Sequence, residues 1–450
     1  MRLPVFVVSV CLPLVFGPLA RAQAPETPEP AAAAAEPAPA AVPEAAAAKL
    51  ACPDAFRIYS EAAGGDANAL PTIPKTPVTG TPDPTQAAER KEDRISGAKK
   101  RLADMIKKSG EKSARTAQAY RLLARDYRDA AQYEDAVEAL EAAMRITAEL
   151  PKKKGTELGD IQMELAQTYT NKGDRLSALA TYGAARKSFE EAVGPNHPKV
   201  ALALHNLGKV DLNMTQYPAA LEAFRTARAV YEANLPDETS HLVELLIDTA
   251  SIHARIGNRE TGLAFAKEAA ALAKEKLGPD HRTTALALHF TGTVNRGMGR
   301  SEDALADLGA AMRVYLGNEA RTRKRIPEVL DDVSVALVRT GCLDRAIEVQ
   351  TLSIGHYAAL YGENHNRVAS AYHRLGGLYR ESGKFAEARA PLFKAASIYE
   401  HIFGPNHRRI ADVYSDLASS SARIELNSEA LRYGFRALRI RTANKQADPE

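Results

Sequence analysis

The segment GPNHPKVALALHNLGKVDLNMTQYPAALEAFRTARAVYEANL, residues Gly194–Leu235, decides the fold of this chain. It opens on a Gly-Pro turn. Its apolar residues then recur every three or four positions in two stretches, separated by a break near Thr215 and Gln216. Such spacing places the apolar side chains on one face of an α-helix. The segment therefore predicts a helix, a short turn and a second helix.

The same pattern returns along the chain at a fixed interval. The turn at Gly194–His197 recurs after 84 residues, after a further 84 and after another 42, at Gly278–His281, Gly362–His365 and Gly404–His407. Halving the 84-residue interval exposes more divergent copies, and the phase also extends backwards, with turns near Gly110, Lys152, Pro236 and Ala320. Self-similarity with a period of about 20–50 residues is typical of a solenoid.

The residues that recur are those that two packed helices need. Gly208 in the first helix and Ala220 and Ala227 in the second are small, whereas Phe224 is large. Other copies carry the same kinds of residue in phase, for example Ala124 with Ala136, Leu140 and Ala143, and Gly376 with Ala388, Leu392 and Ala395. Small residues let two helices approach closely, and the large apolar residue fills the groove between them.

This spacing resembles the tetratricopeptide repeat, and the 42-residue period with its Gly-Pro-x-His turns is similar to the kinesin-light-chain variant of that family. The resemblance covers roughly Ser109–Asn444. It implies an all-α fold, a right-handed superhelical solenoid of about eight helix-turn-helix repeats. Two copies depart from the pattern because Ala266 and Gln350 stand where the reference repeat has Phe224. We expect local looseness or a widened groove in those two helix pairs.

The N-terminus has the pattern of a secretory signal peptide, predicted over residues 1–24. Arg2 precedes an apolar run, and small residues follow at Ala20, Ala22 and Ala24. We therefore expect an exported protein, either periplasmic or secreted. The apolar run is short and contains three prolines, so stable insertion into a membrane is not expected.

The remaining boundaries follow from changes in composition. Residues 25–85 are rich in Ala and Pro and cannot bury enough apolar surface to order themselves, which predicts a disordered linker. Residues 86–108 have one apolar stripe opposite a densely charged face. This pattern predicts a helix that caps the first repeat. The solenoid is then expected over 109–444, with a disordered tail at 445–450.

Charge and motifs argue against several functional classes. The formal net charge of +3 is nearly balanced for 450 residues and gives no basic stripe of the kind that nucleic acids require. The sequence contains no nucleophile elbow, phosphate-binding glycine loop, HExxH or CxxC motif. We therefore predict no catalytic residue, no cofactor and no nucleic-acid partner.

The histidines invite a metal site, but their repetition argues against one. Four share the turn position and three share a first-helix position, respectively His197, His281, His365 and His407, and His205, His289 and His373. Equivalent residues two repeats apart are separated by several helix layers of about 8–10 Å each, whereas zinc requires ligands at about 2 Å. We predict no metal site, and we expect the turn histidines to satisfy backbone groups at helix ends.

Two cysteines, Cys52 and Cys342, follow the predicted signal peptide. An oxidising compartment permits a disulfide between them. Cys52 lies in the predicted linker and Cys342 in a predicted turn, so the geometry allows this pairing without requiring it. We therefore regard the two residues as a candidate disulfide.

The family resemblance implies a site for partners, because first helices line the concave face of tetratricopeptide solenoids. Matched by phase, the partner-binding residues on this chain are Arg121, Arg125, Arg128, Gln167, Asn171, His205, Lys209, Asn213, Arg255, His289, Arg296, Arg339, His373 and Arg380. Asp331 and Asp412 are expected to face the same way. Arginine and asparagine side chains can hold a carboxylate or an extended backbone through directed hydrogen bonds.

The last predicted helix carries a second candidate surface. Leu431, Phe435 and Leu438 are spaced by four and three residues and form one apolar stripe with arginines on its flanks. No polar capping helix follows this stripe in the sequence. We expect the stripe to dock a partner, a second copy of the chain or the segment around Phe56. In the alternative, it packs on the preceding helix.

These observations together predict a non-catalytic scaffold that binds a partner protein or peptide through the concave face, in the cell envelope or outside the cell. Two alternatives remain open. The chain could be a structural or assembly component of an envelope complex that acts through self-association, for example as a homodimer. It could instead be an accessory subunit of an enzyme.

Overall fold

The structure is a computed structural model that describes residues 84–150 and 155–447, together with Cys52, Arg57, Ser60 and Glu61. The predicted signal peptide (1–24), the predicted linker apart from those four residues and its last two positions, and residues 448–450 of the predicted tail lie outside the described residues. The described residues contain helices and no β-strand.

One helix, α1 (Pro84–Ser109), precedes eight helix pairs in the described part of the chain. We number these pairs as repeats 1 to 8. They are α2 (Ala114–Asp129) with α3 (Tyr133–Glu149), α4 (Glu157–Lys172) with α5 (Arg175–Val193), α6 (Pro198–Asn213) with α7 (Tyr217–Ala233), α8 (Thr239–Arg255) with α9 (Arg259–Leu277), α10 (Arg282–Gly297) with α11 (Ser301–Gly317), α13 (Ile326–Arg339) with α14 (Leu343–Tyr361), α15 (Asn366–Glu381) with α16 (Phe385–Phe403), and α17 (Arg408–Arg423) with α18 (Asn427–Ala447).

A four-residue helix, α12 (Glu319–Thr322), lies between repeats 5 and 6. Each helix packs mainly on the helix before it and the helix after it in the chain. The fold class predicted from the sequence is therefore confirmed. The described part of the chain forms an all-α, right-handed superhelical solenoid of eight helix-turn-helix repeats.

The recurring turn histidines start the first helices of repeats 3, 5, 7 and 8. The Nδ1 atom of His197 accepts a hydrogen bond of 3.1 Å from the backbone N–H of Lys199. His281, His365 and His407 cap their helices in the same way, at 3.2–3.3 Å. The first N–H groups of a helix have no partner within it, so these side chains satisfy groups that would otherwise be unpaired. The expected role of the turn histidines is confirmed.

Within a repeat, the two helices touch where the small residues recur. Ala220 and Ala227 are fully buried, and so is the ring of Phe224. A Cβ atom at Gly208 would lie 2.5 Å from that ring, which is far inside van der Waals contact. Glycine is therefore required at this position for the ring to lie against the backbone of the first helix.

The expected local looseness is not found at the two divergent residues themselves, whereas a widened groove in these repeats stays a prediction. Ala266 in repeat 4 and Gln350 in repeat 6 are both fully buried. In repeat 4 the helices come closer, since a Cβ atom at Gly262 would lie 2.9 Å from the carbonyl oxygen of Ala250. In repeat 6, Gln350 Nε2 donates a 3.0 Å hydrogen bond to Asp331. The smaller residue Ala266 is thus accommodated by a close approach of the two helices, and the polar residue Gln350 by a hydrogen bond.

Candidate partner-binding groove

The predicted partner-binding residues lie on the first helices of repeats 1 to 7. We use the term groove for the surface formed by these residues and their equivalents 42 residues apart. The first helices of neighbouring repeats pass close to one another along it. Side chains separated by 43 residues are therefore in contact between repeats 1 and 2, repeats 3 and 4, and repeats 7 and 8.

The boundary between each odd repeat and the following even repeat carries a contact between a basic and an acidic side chain at the same position. His205 Nε2 lies 2.9 Å from Asp248 Oδ2, His289 Nε2 lies 3.3 Å from Asp332 Oδ2, and His373 Nε2 lies 2.8 Å from Asp416 Oδ2. At the equivalent place between repeats 1 and 2, Arg121 Nη2 lies 2.5 Å from Glu164 Oε1. The four pairs recur every 84 residues, and each joins two repeats.

A second basic side chain contacts the same carboxylate in three of these places. Arg380 forms an ion pair with Asp416, Arg296 Nη2 lies 3.4 Å from Asp332, and Lys209 Nζ lies 3.9 Å from Asp248. Much of the predicted positive charge of the groove is thus compensated within the chain. Six predicted residues already have an acidic partner at 3.4 Å or less: Arg121, His205, His289, Arg296, His373 and Arg380.

These contacts shift the titration of two of the carboxyl groups. Burial pushes the pKa of Asp332 upward, but the hydrogen bond from His289 and the charge of Arg296 outweigh it and hold the pKa below its ordinary value. Burial also acts against ionisation of Asp416. There the hydrogen bond from His373 and the charge of Arg380 again leave the pKa lower than usual. Both carboxylates are therefore ionised partners of the groove cations.

The acidic members of these pairs are missing from the residues predicted from the sequence. They are Glu164, Asp248, Asp332 and Asp416, which follow one another at intervals of 84 residues. This period is a signal that could have found them. The prediction was based on the position of basic and amide residues within single repeats. It therefore did not consider pairs formed by a basic residue of one repeat and an acidic residue of the next.

The two acids that were expected to face the groove have other partners. Asp331 is buried and accepts hydrogen bonds from Ser353 Oγ at 2.8 Å and Tyr357 OH at 2.9 Å. Burial raises the pKa of Asp331, although the charge of Arg374 acts in the opposite direction. Asp412 is exposed and pairs with Arg441 at 3.1 Å. Asp331 is therefore part of a buried polar cluster in repeat 6 and contributes little to the groove surface.

Unpaired groove cations are concentrated in the N-terminal half of the solenoid. Among the described residues, the side chains of Arg125, Arg128 and Arg255 make no hydrogen bond or ion pair, and neither does that of Asn213. Gln167 donates to Asn171 at 2.9 Å. In repeats 1 to 4 the groove therefore carries side chains whose charge or hydrogen-bonding capacity is free.

One position in each repeat forms the central row of the groove. In repeats 1 to 3 it holds the exposed, long polar residues Arg125, Gln167 and Lys209. In repeats 4 to 8 it holds Ser251, Thr293, Val335, Gly377 and Ser419, which are all much smaller, and all of them except the exposed Ser419 are half-buried. Arg339, near the end of this row in repeat 6, donates a 3.2 Å hydrogen bond to the backbone oxygen of Arg296. The two halves of the groove thus differ in both side-chain size and free charge.

A cavity of about 400 Å³ lies beside Arg121, between repeats 1 and 2. Most of its lining is apolar, and the walls include Ala114, Ala117, Leu150, Leu158, Ile161 and Ala192. The unpaired Arg125 is one helical turn from Arg121 on the same helix. An apolar space and a free cation are therefore close together at this end of the groove.

The other two candidate sites lie away from the groove. Leu431, Phe435 and Leu438 on α18 are 62%, 68% and 60% exposed, so the stripe is not consumed by packing on the preceding helix. Cys52 and Cys342 are present as free thiols, and Cys52 packs against the apolar core to which Cys342 belongs. Whether the stripe binds anything and whether the cysteines pair both stay predictions.

Two kinds of feature were not found in the described ranges. No three His, Cys, Asp or Glu side chains converge there to hold a metal ion. No helix among the described residues is long and apolar enough to cross a membrane.

Sequence comparison identifies the repeats. A model of the tetratricopeptide repeat family matches residues 157–233, 243–316 and 328–401, and a second model of the same description matches residues 116–150. The matched segments together cover more than half of the chain. They coincide with the helix pairs of repeats 1 to 7.

Individual relatives are more distant. The chain is 26% identical over 239 residues to "Protein KINESIN LIGHT CHAIN-RELATED 3" of Arabidopsis thaliana, covering 53% of this chain and 30% of that protein. It is 21% identical over 205 residues to "Secreted RxLR effector protein RXLR-C07" of Plasmopara halstedii, covering 45% of this chain and 63% of the relative. The chain thus spans less than two thirds of either curated relative.

Among solved structures, the apo form of the quorum sensor NprR from B. thuringiensis superimposes with a TM-score of 0.52 at 12% sequence identity. The match covers 79% of this chain and 99% of that chain. At this identity the similarity concerns the fold alone. It agrees with the helix-pair solenoid described above.

Proposed function

Because the chain belongs to the tetratricopeptide repeat family, we propose that it is a non-catalytic scaffold that binds an extended segment of a partner protein or peptide in its groove. The observation that supports this proposal is that some basic side chains of the groove have acidic partners within the chain and others have none. The groove arginines Arg296 and Arg380 in repeats 5 and 7 are paired with carboxylates of the same chain, whereas Arg125, Arg128 and Arg255 have no such partner among the described residues.

The unpaired side chains of the groove indicate the chemistry of the partner segment that would bind there. Arginine binds carboxylates through directed and charge-assisted hydrogen bonds, so acidic side chains of the partner are expected opposite repeats 1 and 2. Gln167, Asn171 and Asn213 can pair with the N–H and C=O groups of an extended backbone. The cavity beside Arg121 offers room for one apolar side chain. We therefore propose a segment that carries an apolar residue flanked by acids.

The proposed location is outside the cytoplasm, in the periplasm or the surrounding medium. The support for it is the charged start, apolar run and small residues of positions 1–24. A relative whose name describes it as secreted is compatible with export, but its identity to this chain is low.

A selection from a displayed library of random peptides tests the groove proposal. We expect the peptides selected on the wild-type solenoid to be enriched in an apolar residue flanked by Asp or Glu. Binding of the best peptide should fall at least about tenfold, or about 1.4 kcal/mol, when Arg125 and Arg128 are both changed to Glu. It should also weaken with added salt, since surface charges are screened.

The matched control changes Arg175 and Arg259 to Glu. Both are exposed residues at the start of second helices, and the change in net charge is the same. The control variant should bind the peptide as the wild type does. Equal loss in both double variants would show a nonspecific charge effect. Unchanged binding by the Arg125/Arg128 variant would refute the groove proposal.

A second candidate function, assembly through self-association, is favoured by the exposed stripe Leu431, Phe435 and Leu438. In earlier repeats the next first helix covers this face, and none follows α18 among the described residues. A second copy would offer an identical apolar face. Arg432 and Arg439 beside the stripe would then meet their own copies and repel them, so salt should strengthen such a dimer.

Light scattering over a range of protein and salt concentrations checks this candidate. If the stripe pairs with itself, the mass should rise towards that of a dimer in salt, and Phe435→Asp should return it to that of a monomer with helical content unchanged. A monomer at all concentrations would refute self-association through this stripe, and only a different partner could then cover it. Unfolding of repeat 8 by Phe435→Asp would contradict the exposure of the residue.

A further inference from the structure

One position near the end of the second helices is aromatic and buried in five of the eight repeats. It holds Phe189 in repeat 2, Tyr231 in repeat 3, and Tyr315, Tyr357 and Tyr399 in repeats 5 to 7. These five side chains are at most 3% exposed. Repeat 1 has Thr147 at this position, so the row of buried rings lacks a member at the N-terminal end of the solenoid.

The contacts of Phe189 show where such a ring lies. A Cβ atom at Gly159 would lie 2.4 Å from Phe189 Cε1, and Lys199 Nζ lies 5.5 Å from the centre of the ring. The residues 42 positions before Gly159 and Lys199 are Ala117 and Glu157. Both line the cavity of about 400 Å³ between repeats 1 and 2. The cavity therefore occupies the place that an aromatic ring fills in repeat 2.

Repeat 4 also lacks the ring, but its helices are packed tightly around a small side chain. Ala273 stands at the same position there and is fully buried. A Cβ atom at Gly262 would lie only 2.9 Å from the carbonyl oxygen of Ala250 in that repeat. Thr147, in contrast, is half-buried and lines the cavity. In repeat 1 the helices have not closed the space that the missing ring leaves.

The size of this space and the character of its walls suit a small apolar molecule. A cavity of about 150 Å³ is enough to hold benzene, and ligand pockets start at about 300 Å³. The walls are mostly apolar, with Ala117, Leu158 and Ile161 among them. Transfer of an apolar molecule from water into such a space is favourable. A molecule with one or two rings therefore fits both the volume and the lining.

The charges around the cavity argue for an uncharged ligand. Arg121 on the wall is compensated by Glu164 at 2.5 Å, and the two acids of the lining, Glu157 and Glu191, are exposed and keep their hydration. The starts of α2 and α4 and the ends of α3 and α5 all border the cavity, so the partial charges of the helix ends oppose one another. A charged ligand would lose its hydration without gaining a buried partner of opposite sign.

We propose that this cavity binds an uncharged aromatic molecule of one or two rings, which takes the place of the missing side chain. The bound ring would contact repeats 1 and 2 together, as the ring of Phe189 contacts repeats 2 and 3. This inference goes beyond the proposed function, because the ligand is a free molecule and needs no partner segment. Arg125 and Arg128, on which the peptide test depends, do not line the cavity, so either proposal can fail without the other.

The experiment uses the full chain with indole as the probe. The isoleucine methyl groups are labelled with ¹³C, and indole is added up to saturation. We expect a saturable shift of the Ile161 methyl signal with a Kd below about 1 mM, and nuclear Overhauser contacts between this methyl group and the indole ring. Indole should also raise the unfolding temperature, because it binds the folded state alone.

Two variants fill the cavity from different walls. Thr147→Phe supplies the ring from α3, and Ala192→Leu fills the space from α5. Each should weaken indole binding at least about tenfold, or about 1.4 kcal/mol, with helical content unchanged. Thr147→Phe should also leave the unfolding temperature equal or higher, whereas Ala273→Phe should lower it because repeat 4 has no space for the ring.

Two further variants are controls. Thr147→Val keeps the size of the side chain and should bind indole as the wild type does. Phe435→Asp changes the exposed stripe of α18 and leaves the cavity intact, so indole binding should again be unchanged.

Three outcomes would overturn the proposal. The wild-type chain could fail to bind indole at millimolar concentration. Thr147→Phe and Ala192→Leu could both fold and bind indole as tightly as the wild type. Phe435→Asp could abolish binding while the cavity-filling variants retain it, which would place indole on the stripe.

Discussion

At the scale of single residues, two adjacent glycines of α15 have opposite surroundings. A Cβ atom at Gly376 would lie 2.5 Å from Leu392 Cγ and 3.4 Å from the carbonyl oxygen of Ala388. A Cβ atom at Gly377 would meet no heavy atom within 4 Å. Gly376 faces the second helix of its repeat, whereas Gly377 belongs to the central row of the groove.

We predict opposite effects of alanine at these two positions. Gly376→Ala should lower the free energy of unfolding by about 1–3 kcal/mol, because Leu392 must move in a packed core. Gly377→Ala should raise it by up to about 1 kcal/mol, since alanine favours a helix over glycine and has open space there. Urea unfolding measures both. Destabilisation by Gly377→Ala equal to that by Gly376→Ala would contradict the packing described here.

The ion pairs between repeats predict a dependence on pH. The folded-state pKa of Asp416 is depressed, so its carboxylate stabilises the fold above the ordinary aspartate pKa of about 3.9, and the contribution is lost as the pH falls through the lower folded value. Asp416→Asn should cost about 1–3 kcal/mol near neutral pH, because His373 and Arg380 lose a charged partner.

Urea midpoints of the wild type and Asp416→Asn across acidic and neutral pH check this prediction. The difference between the two proteins should be constant at neutral pH and shrink below about pH 4. Asp344→Asn is the control, because Asp344 is exposed and its ion pair with Lys384 lies at the surface. A difference that grew in acid would show that the sign is wrong.

At the scale of elements, α18 differs from the other second helices because no first helix follows it in the described chain. Leu438 and Met312 occupy the same phase, three repeats apart, and Leu431 is likewise equivalent to Leu305. Met312 and Leu305 are fully buried by their neighbours, whereas Leu431 and Leu438 are about 60% exposed. Residues at the same position of the repeat therefore contribute differently to the free energy of unfolding, depending on whether a following helix covers them.

We predict that truncation of these equivalent residues has unequal effects. Met312→Ala should cost about 2–5 kcal/mol because it removes buried contacts and leaves a cavity. Leu438→Ala should change the stability of the monomer by less than about 0.5 kcal/mol. The measurement is thermal or urea unfolding at low protein concentration. Comparable losses would mean that α18 is covered in solution.

At the scale of the whole molecule, the two ends of the solenoid are protected differently. At the N-terminal end, Ile95, Ala98 and Leu102 of α1 are buried in the same core cluster as α2 and α3. Arg94 of α1 also pairs with Asp126 at 2.6 Å and with Asp129 at 2.7 Å. Repeat 8 has no comparable cover in the described chain. Because each repeat contacts only its neighbours, local opening should begin at the less protected end.

Hydrogen exchange with mass spectrometry tests this asymmetry. Backbone amides of α17 and α18 should exchange faster than those of α2 and α3. Ile95→Asp should accelerate exchange in α2 and α3 and leave repeat 8 unchanged, since the two ends are not in contact. Uniform exchange along the chain would show that the solenoid unfolds as a single unit.

The sequence by itself determined the repeat, the two helices in each copy and the chemistry of their ends. These features depend on contacts within about 42 residues. Because the same contacts recur in eight copies, residues at the same position of each repeat are enough to recognise them. Gly208 with Phe224 and His197 at its helix start are examples, because each partner lies within one repeat.

Only the tertiary structure decided which side chains meet across repeats. His205 is paired with Asp248 and Arg380 with Asp416, whereas Arg125 and Arg128 are free cations. All four bases lie in the same groove, so their position in the repeat does not distinguish them. The tertiary structure also placed Cys52 against the apolar core to which Cys342 belongs. Such contacts depend on the rotation between successive repeats and on the side-chain rotamers that fit between them. The spacing of residues along the chain determines neither of these, so the sequence pattern could not predict the contacts.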